Sequence, residues 1–235
     1  MLTEHESEIL GIMFGDGCLS RTEHSIQIAV TGNKVDDEDY FLNRVRPLFW
    51  DVFNLGLTVR YRQDENTMDL YRHSMRVALT LHSWGMPFGQ KKLSDLTPKL
   101  DVVPSAFIRG VFDTDGSVYR KYGPYAQVQF KTVSRTLLCF IKEQLTILGF
   151  HPTNIRPDET KHRLLLSRQS EVDAFFRELL SQNTKHQKRF QRIRREAPTS
   201  NGQPPSLLNL IPRPHLGLRR WGTAEEPMVR YGMGP

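Results

Sequence analysis

The sequence has few of the features that would cross-link or anchor a chain. It has only two cysteines, Cys18 and Cys139, and no Cys-x-x-Cys or Cys/His spacing, so neither a disulfide framework nor a structural zinc site is indicated. No apolar run approaches the length of a membrane span. The first ten residues, MLTEHESEIL, are acidic and show neither a secretion signal nor an Arg-rich transit pattern. We therefore expect a non-secreted protein that is cytoplasmic or nucleoid-associated, with an organelle-encoded origin left open.

The charge balance of the chain is basic. Lys and Arg number 32 against 26 Asp and Glu, which gives a formal net charge of +6 over 235 residues. An excess of positive charge is typical of proteins that bind a polyanion. The length leaves room for one or two packed cores. Composition therefore agrees with nucleic-acid binding without specifying a function.

One short motif occurs twice in the chain. Residues 9–17 read ILGIMFGDG and residues 108–116 read IRGVFDTDG; each is an apolar stretch that contains a glycine and ends in Asp-Gly. The two aspartates, Asp16 and Asp115, lie about 100 residues apart, which is the size of one small domain. The repetition indicates a tandem duplication with one carboxylate in each copy.

The spacing of small residues in the motifs predicts two short helices in close contact. Gly11 and Gly15 stand four residues apart on one helix face, and Gly110 and Thr114 repeat that spacing in the second copy. Small residues at this spacing leave no side chain between two helix backbones. The two motif helices are therefore expected to pack almost backbone to backbone.

Each aspartate then lies at the C-terminal end of its helix. Gly17 and Gly116 are expected to end the helices in the left-handed conformation, which glycine adopts at little cost. A carboxylate is poorly placed at this end, because the helix dipole presents partial negative charge there. Two such carboxylates side by side also repel each other unless a cation lies between them. A divalent cation resolves both problems, and Mg²⁺ typically takes one or two carboxylates together with phosphate and water.

A common order of elements follows each motif. Alternating apolar and polar residues predict strands at 25–31 and 126–131, each followed by an amphipathic helix, at 39–53 and 134–148. Further strands are predicted at 58–62 and 70–74, paired across a turn at 64–66, and at 151–156 and 162–167; closing helices are predicted near 75–84 and 171–180. The predicted fold class is α+β: tandem pseudo-twofold αββαββα repeats, with two antiparallel saddle-like sheets around a central pair of motif helices.

The two motifs resemble the signature helices of the LAGLIDADG homing endonucleases, in the single-chain form that carries both repeats. The stretch FIRGVFDTDGSV is the more specific, and GMPFGQKKLSDLTP resembles the segment between the family's repeats. Phe14 stands where the signature has its first Asp, a position that is not the metal ligand in the family pattern. The resemblance implies a first repeat with its linker at 1–100 and a second repeat at 101–195. The tail at 196–235 contains several prolines and is predicted to be disordered or loosely docked.

The resemblance implies a monomeric enzyme that hydrolyses both strands of a long, asymmetric DNA site and is encoded within an intron or intein. Mg²⁺ is the expected cofactor; Mn²⁺ is expected to replace it, and Ca²⁺ to bind without supporting cleavage. The implied metal ligands are Asp16, Asp115, Gly15 and Thr114. The lysines that match the family's catalytic lysines by position are Lys91 or Lys92 in the first copy and Lys185 or Lys188 in the second.

The polar faces of the predicted strands supply candidate contacts to double-stranded DNA. In the major groove Arg and Lys pair with guanine and Gln with adenine, and a two-stranded ribbon fits that groove. The candidates on or beside the predicted strands are Arg21, Gln27, Arg60, Arg62, Arg72, Arg120, Gln127, Gln129 and Lys131. The basic run KHQKRFQRIRR at 185–195 would add salt-dependent affinity that does not depend on sequence.

Two other functions can be built on the same repeats. A maturase would bind intron RNA and assist splicing, with or without residual cleavage; aspartates in both motifs argue against loss of cleavage but leave a dual role open. A transcription regulator would need an added DNA-binding module such as a helix-turn-helix, and no segment of the sequence has that pattern. We therefore interpret the chain as a DNA endonuclease, with the intron RNA maturase as the alternative.

Overall fold

The computed structural model describes residues 1–63, 65–91 and 96–195, and in these the chain repeats one order of elements. The first half contains α1 (Glu4–Gly15), β1 (Gly17–Arg21), β2 (Ile26–Asn33), α2 (Glu38–Tyr40), a π-helical turn (Phe41–Val45), α3 (Arg46–Phe53), β3 (Thr58–Tyr61), β4 (Thr67–His73) and α4 (Met75–Ser83). The second half contains α5 (Pro104–Asp115), β5 (Gly116–Tyr122), β6 (Tyr125–Thr132), α6 (Arg135–Ile147), β7 (Arg156–Asp158), β8 (Lys161–Leu166), α7 (Gln169–Glu178) and α8 (Thr184–Arg195). Three sequence predictions fall wholly or partly outside the described residues: the turn at 64–66, which includes Asp64, the candidate Lys92 and the tail at 196–235.

Each half forms one four-stranded antiparallel sheet. The strand orders are β1-β2-β4-β3 and β5-β6-β8-β7, so the two sheets share one topology. Val30 opposite Leu70 and Phe130 opposite Leu164 lie on the apolar faces, where helices cover them and leave each at most 2% exposed. The predicted α+β class with two antiparallel sheets is confirmed. No helix among the described residues has the length and apolarity needed to cross a membrane.

Two predicted elements differ from the observed ones. The helix expected at 39–53 is divided by the π-helical turn Phe41–Val45, directly before Pro47 in the first turn of α3. Proline lacks the N–H that an uninterrupted α-helix needs, so the helical bonding changes around it. The strand expected at 151–156 is reduced to β7, because Pro152 cannot donate to a sheet ladder and the His151 N–H bonds the Glu171 carboxylate at 3.1 Å instead.

The motif helices α1 and α5 cross with their backbones in contact. A Cβ atom on Gly11 would collide with the Phe107 carbonyl oxygen and lie 2.9 Å from the Val111 nitrogen. A Cβ on Gly110 would meet the Glu8 carbonyl oxygen and the backbone of α1 in the same way. The predicted backbone-to-backbone packing of the helices is confirmed.

The glycines that follow the two aspartates have a different role from the expected one. Gly116 has φ −79° and ψ 165°, which is extended backbone, and Gly17 is absent from the glycines with positive φ. The expected left-handed conformation is therefore wrong. Instead the chain turns sharply against the last helical turn: a Cβ would lie 2.7 Å from the Met13 oxygen at Gly17 and 2.6 Å from the Phe112 oxygen at Gly116. Glycine is required here by close approach of the backbone.

A buried charge cluster crosses the helix pair. Glu8 on α1 is fully buried and accepts hydrogen bonds from Arg44 Nε and Nη2 at 2.7 and 2.6 Å. It also accepts from Arg109 Nε and Nη2 at 3.0 and 2.6 Å, and Arg109 reaches Glu4 as well. Burial alone would raise the pKa of Glu8, but the two arginines outweigh it and hold the pKa below its ordinary value. Glu8 is thus an ionised carboxylate within the core.

Candidate functional site

The two motif aspartates lie where the helices end and the sheets begin. Asp16 follows α1; its N–H bonds the Ile12 oxygen at 3.1 Å, and its carbonyl oxygen accepts the Thr31 N–H from β2 at 3.2 Å. Asp115 is the last residue of α5. Asp16 is half-buried whereas Asp115 is exposed. The two copies therefore provide one carboxylate each in unequal surroundings.

The electrostatics of Asp16 show that negative charges converge on this junction. Burial raises the pKa of Asp16 to about 7, and the negative charge of Asp115 adds to the rise. The positive charges of Lys91 and Lys185 oppose it, and Asp37 adds a smaller rise. Such shifts require the charges to lie close together. A cation at this junction would relieve the repulsion that otherwise favours protonation.

Lys91 places its ammonium group at the C-terminal end of α1. Nζ donates to the carbonyl oxygens of Phe14 at 3.1 Å and Met13 at 3.4 Å, and it contacts the Gly15 oxygen. Burial lowers the pKa of Lys91, while the charges of Asp16 and Asp115 oppose the change. The helix dipole favours a positive group at this position. The end of the motif helix is therefore a place that accepts a cation.

A cavity of about 220 Å³ opens beside the second aspartate. Its lining includes Asp115, Lys91, Gly15, Ser134 and Lys161. Lys161, at the start of β8, was missed by the sequence interpretation, although a basic residue that opens the last strand of a repeat is a usable signal. The cavity thus combines one carboxylate and two ammonium groups at the helix junction.

The donor atoms at the junction fit a hard divalent cation. Carboxylate and backbone carbonyl oxygens are the ligands that Mg²⁺ prefers. Within the described ranges, no three His, Cys, Asp or Glu side chains come together as a metal site. Mg²⁺ bound by one or two carboxylates usually keeps several water ligands. Gly15 and Thr114 are the two candidate metal ligands besides the aspartates. The Gly15 carbonyl oxygen contacts the Lys91 ammonium group, and the Thr114 hydroxyl donates to the Gly110 carbonyl oxygen at 2.8 Å.

The two candidate lysines of the second repeat differ in position. Lys185, near the start of α8, has its ammonium group 2.6 Å from Asp37 Oδ1 and acts electrostatically on Asp16. Lys188 lies three residues further along the same helix and is exposed. The structure therefore brings Lys91 and Lys185 to the aspartates and places Lys188 on an outer surface.

Asp113 is a buried carboxylate that the sequence interpretation did not assign. Its oxygens accept hydrogen bonds from the Ser181 hydroxyl at 2.5 Å and the Gln182 N–H at 2.7 Å. Burial raises the pKa of Asp113 to about 7. Burial also lowers the pKa of the neighbouring His186, whose ring packs on Phe112, to about 3. These contacts tie the segment after α7 to the end of α5.

On the polar face of the first sheet, two candidate DNA-contacting arginines share one carboxylate. Arg60 Nη2 lies 2.8 Å from Asp69 Oδ2, and Arg62 Nη2 lies 3.0 Å from Asp69 Oδ1, which also accepts the Thr31 hydroxyl at 2.7 Å. Burial would raise the pKa of Asp69, but hydrogen bonds from Arg62, Thr31 and Arg60 hold it below its ordinary value. Gln27 lies on the same strand face as Thr31.

Three other candidate arginines alternate onto the opposite faces of their strands. Arg21 shares the face of Leu19, and its guanidinium lies 4.5 Å from the centre of the Phe88 ring. Arg72 shares the face of Leu70 and is exposed at the end of β4. Arg120 is exposed where the β5–β6 register shifts. These arginines lie beside the polar faces rather than on them.

On the second sheet, Gln127, Gln129 and Lys131 share the polar face of β6. Gln127 is 5% exposed because its amide accepts from the Tyr119 hydroxyl at 3.0 Å and donates to the Ser167 hydroxyl at 2.6 Å. The Gln129 amide oxygen accepts from the Ser117 hydroxyl at 3.4 Å.

The basic part of this face includes residues that the sequence interpretation missed. Lys131 forms an ion pair with Asp158 at 3.0 Å. In the sheet register, Arg163 lies opposite Lys131 on one side and opposite Arg156 on the other. These residues could have been identified from the sequence, because basic residues recur at every second position of the strand, as Lys161 and Arg163 do on β8. The second sheet thus presents a different set of polar groups from the first.

Comparisons with known proteins agree with this architecture. Residues 103–180 match the family model of the LAGLIDADG-like domain. The structure of I-DmoI in complex with DNA and Mn is similar, with a TM-score of 0.54 at 16% identity, over 76% of this chain and 97% of that chain. A mutant of I-SmaMI matches with a TM-score of 0.53 at 11% identity, over 82% of this chain and 89% of that one. Full-length DUF199/WhiA from Thermatoga maritima matches with a TM-score of 0.54 at 14% identity, over 81% of this chain and 59% of that one. No curated protein matches the sequence.

Proposed function

We propose that this chain, which carries a LAGLIDADG-like domain at residues 103–180 within the two-repeat fold of the single-chain LAGLIDADG homing endonucleases, is itself a site-specific DNA endonuclease. One observation carries the proposal: each crossing helix ends in an aspartate, and the charges of Asp16 and Asp115 meet at the junction between two sheets. The proposed enzyme would cut both strands of a long asymmetric DNA site and act as a monomer.

The residues at the helix junction are suited to phosphodiester hydrolysis. Asp16 and Asp115 would hold divalent ions, with Gly15 and Thr114 as further ligands. Bound Mg²⁺ would supply an activated water and would stabilise charge on the attacking and leaving oxygens. The ammonium group of Lys91 lies at the same junction, where positive charge stabilises a phosphate as its negative charge develops.

The structural neighbours support the metal and the substrate. I-DmoI has been solved in complex with DNA and Mn, with DNA and Ca, and as a variant with its target DNA in the presence of Mg. We infer that double-stranded DNA and a divalent cation are also the partners of this chain. The oxygen donors at its helix junction fit that inference.

The two polar sheet faces support an asymmetric target. Such faces on either side of the carboxylates would follow a duplex over many consecutive base pairs. The first presents Arg60 and Arg62 around Asp69, whereas the second presents Gln129 and Lys131 among further basic residues. Because these groups prefer different bases, the two half-sites would differ in sequence.

A cleavage selection on random DNA tests the proposed function. The purified full chain is incubated with a library of randomised duplexes in Mg²⁺, in Mn²⁺, in Ca²⁺ or with EDTA, and the cut ends are sequenced. We expect one long consensus, cut in both strands near its centre, in Mg²⁺ and Mn²⁺ only. Absence of cleavage together with tight binding of an intron RNA would favour the maturase alternative.

Substitution of the aspartates tests the assignment of the site. Asp16→Asn and Asp115→Asn should each abolish double-strand cleavage while DNA binding in Ca²⁺ is largely retained. Asp51→Asn, an exposed aspartate on α3, is the matched control and should cut normally. If either motif variant still cuts both strands at the normal rate, the metal assignment is wrong.

A further inference from the structure

Two tyrosines stand at the outer end of the second sheet. Tyr122 ends β5, Tyr125 begins β6, and the turn residues Gly123 and Pro124 join them. The centres of the two rings lie 5.0 Å apart, and the residues are 60% and 43% exposed. Burial of an aromatic ring is favourable, so a pair of exposed rings in contact is typical of a binding surface. The tyrosines thus present one continuous aromatic surface to solvent.

A β-bulge turns Tyr122 toward the polar face of the sheet. The register changes by one residue before Tyr122, so that Lys121 is an extra residue in β5 and Tyr122 lies opposite Tyr125. Residues directly opposite each other share a face, and Tyr125 alternates with the buried Ala126. Both tyrosines therefore lie on the polar face, in line with the candidate DNA contact Gln129.

The backbone on both sides of Tyr125 is held by two helices. Arg194 of α8 donates from Nη1 to the Pro124 carbonyl oxygen at 3.2 Å. Gln169, the first residue of α7, accepts the Ala126 N–H and donates to the Ala126 carbonyl oxygen, both at 3.0 Å. Arg194 Nη1 also donates to Gln169 Oε1 at 2.9 Å, so the two anchors support each other. Because the strand end is already fixed, little further ordering is needed when it binds a ligand.

The length of β5 sets how far the tyrosines lie from the helix junction. The strand begins directly after Asp115 and spans seven residues to Tyr122, one of which forms the bulge. At about 3.4 Å per residue, the remaining six span about 20 Å. Base pairs of a duplex are also about 3.4 Å apart, so the pair would meet the DNA about six base pairs from the phosphate at Asp115. The tyrosines would be the outer contact of that half-site.

Thymine is the base that offers an apolar group in the major groove. The groove edges of guanine, cytosine and adenine present hydrogen-bond donors and acceptors, whereas thymine adds its C5 methyl group. Aromatic rings placed over the polar groups would exclude water without replacing its hydrogen bonds, which costs free energy. Against the methyl group the same rings gain apolar burial. An aromatic surface at this position on a groove-facing strand therefore favours thymine.

The corresponding end of the first sheet has a different character. There Thr22 donates its N–H to the Ser25 carbonyl oxygen at 2.9 Å, at the place that Tyr122 and Tyr125 occupy in the second sheet. The turn between them carries Glu23, an exposed carboxylate. Small hydroxyl side chains bury little apolar surface, and a carboxylate is repelled by phosphate. Selection for a methyl group is therefore expected in one half-site only.

We propose that Tyr122 and Tyr125 select thymine at the outer end of the half-site under the second sheet, through contact with its C5 methyl group. Lys121, whose ammonium group lies 5.6 Å from the centre of the Tyr122 ring, supplies positive charge toward the adjacent phosphates. The assignment rests on the proposed function, in which the polar sheet faces follow a DNA duplex.

Removal of single methyl groups from the DNA tests the assignment. The probe is the duplex enriched from a random library by binding to the full chain in Ca²⁺, and the base preference that Lys131→Met alters identifies the half-site under the second sheet. Outer thymines of that half-site are replaced one at a time by deoxyuridine, which lacks only the C5 methyl group. At least one replacement should raise the Kd about fourfold by fluorescence anisotropy. A change of cytosine to 5-methylcytosine at the same position should lower the Kd by a similar factor.

Matched protein variants connect the methyl effect to the tyrosines. In Tyr122→Ala/Tyr125→Ala, the ratio of the Kd values for the deoxyuridine and thymine duplexes should fall from about four to about one. Tyr122→Phe/Tyr125→Phe should keep the ratio, because the rings remain; this variant excludes a phosphate contact of the hydroxyls as the cause. Tyr61→Ala removes an exposed tyrosine that shares the face of Val59 in the first sheet, and this control should also keep the ratio. Thermal melting checks that each variant is folded.

The possible results separate this assignment from the proposed function. Equal Kd values for thymine and deoxyuridine at every outer position, or a ratio that persists in the double alanine variant, overturn the assignment; cleavage in Mg²⁺ would still establish the endonuclease. A ratio that depends on the tyrosines, in a chain that binds the duplex but never cuts it, supports the assignment and overturns the endonuclease function. If the chain selects no duplex, both proposals are wrong.

Discussion

Gly11 and Gly110 face each other where α1 and α5 cross, with the Gly110 Cα only 3.1 Å from the place that a Cβ on Gly11 would occupy. The two helices are short and run directly from this crossing to Asp16 and Asp115. The separation of the carboxylates is therefore set by the absence of two side chains. Any atom added at the crossing would move the helices apart and the aspartates with them.

The crossing predicts a large effect of a single methyl group. Gly11→Ala or Gly110→Ala should lower the free energy of unfolding by about 1–3 kcal/mol or more, because the new Cβ meets backbone that cannot rotate away. Urea unfolding followed by circular dichroism measures the change. Gly56→Ala is the matched control, since its Cβ would meet only the Trp50 ring at 4.0 Å. Equal stability of Gly11→Ala and Gly56→Ala would contradict the packing.

The buried charge cluster predicts a specific pH dependence. Glu8→Gln should cost about 3–5 kcal/mol at pH 7, because it leaves Arg109 without its buried partner. The pKa of Glu8 lies below its ordinary value of 4.5 in the folded protein, so its stabilising effect is complete above that pH and is lost as the pH falls through the lowered pKa. The stability gap between the unaltered chain and Glu8→Gln should therefore narrow below about pH 4.5.

Equilibrium unfolding of both proteins from pH 7 to pH 3 measures this gap. Glu143→Gln, on the exposed surface of α6, is the matched control and should change stability little at any pH. A gap that stays constant across the whole pH range would show that Glu8 is not held ionised by its arginines.

The Asp69 cluster predicts a change in sequence selectivity. Asp69→Asn removes the charge that holds Arg60 and Arg62 in fixed directions. Selectivity at the base pairs under this sheet should fall about tenfold, since a well-placed bidentate contact discriminates by about 1–3 kcal/mol. Binding to random DNA should strengthen, because the face loses a negative charge. Sequencing of bound duplexes from a random library measures both effects.

A matched variant on the other sheet provides the control for this experiment. Asp158→Asn removes the carboxylate that pairs with Lys131 and should alter only the opposite half-site. Loss of selectivity at the same base pairs in both variants would contradict a local role for Asp69.

The basic helix α8 predicts affinity without selectivity. Four of its basic residues are exposed, namely Lys188, Arg189, Arg192 and Arg195. The double variant Arg189→Gln/Arg192→Gln should weaken binding equally for the selected and the random duplexes. The magnitude of the slope of log K against log salt concentration should fall by about 0.9 for each phosphate that the variant no longer neutralises. Fluorescence anisotropy at several salt concentrations measures this slope. Arg177→Gln, on α7, is the control; weakening confined to the selected duplex would place α8 at the bases instead.

The central helix pair and the order of elements follow from the sequence, whereas contacts between distant segments do not. The spacing of Gly11 and Gly15, repeated by Gly110 and Thr114, is local and predicts close packing directly. The pairing of Arg60 and Arg62 with Asp69 depends on the register of β3 against β4, which alternation alone does not fix. The left-handed conformation predicted for Gly116 is wrong. Asp-Gly is a common pattern at helix ends, but here glycine is needed because the chain passes close to the Phe112 backbone as β5 begins.

The choice between neighbouring lysines shows the same limit. Sequence position alone does not distinguish Lys185 from Lys188. In the structure the two side chains leave α8 in different directions, and of the two only Lys185 forms an ion pair with a carboxylate of the first half. That contact joins residues 148 positions apart, so no local pattern reports it. Lys91 likewise becomes distinctive only because its loop returns to the end of α1.

The cluster of Glu8 with Arg109 and Arg44 also determines what each half of the chain can pair with. With the motifs aligned, Glu8 corresponds to Phe107 and Leu10 to Arg109, so the acid stands on one motif helix and the base on the other. Two copies of the first half placed together would bury glutamates against leucines, and two copies of the second half would bury arginines against phenylalanines. Both combinations lose the ion pair between Glu8 and Arg109: Glu8 would keep Arg44 of its own half, whereas Arg109 would be buried without a carboxylate. The two halves are therefore complementary at the helix pair, because one supplies the acid and the other the base of a buried ion pair.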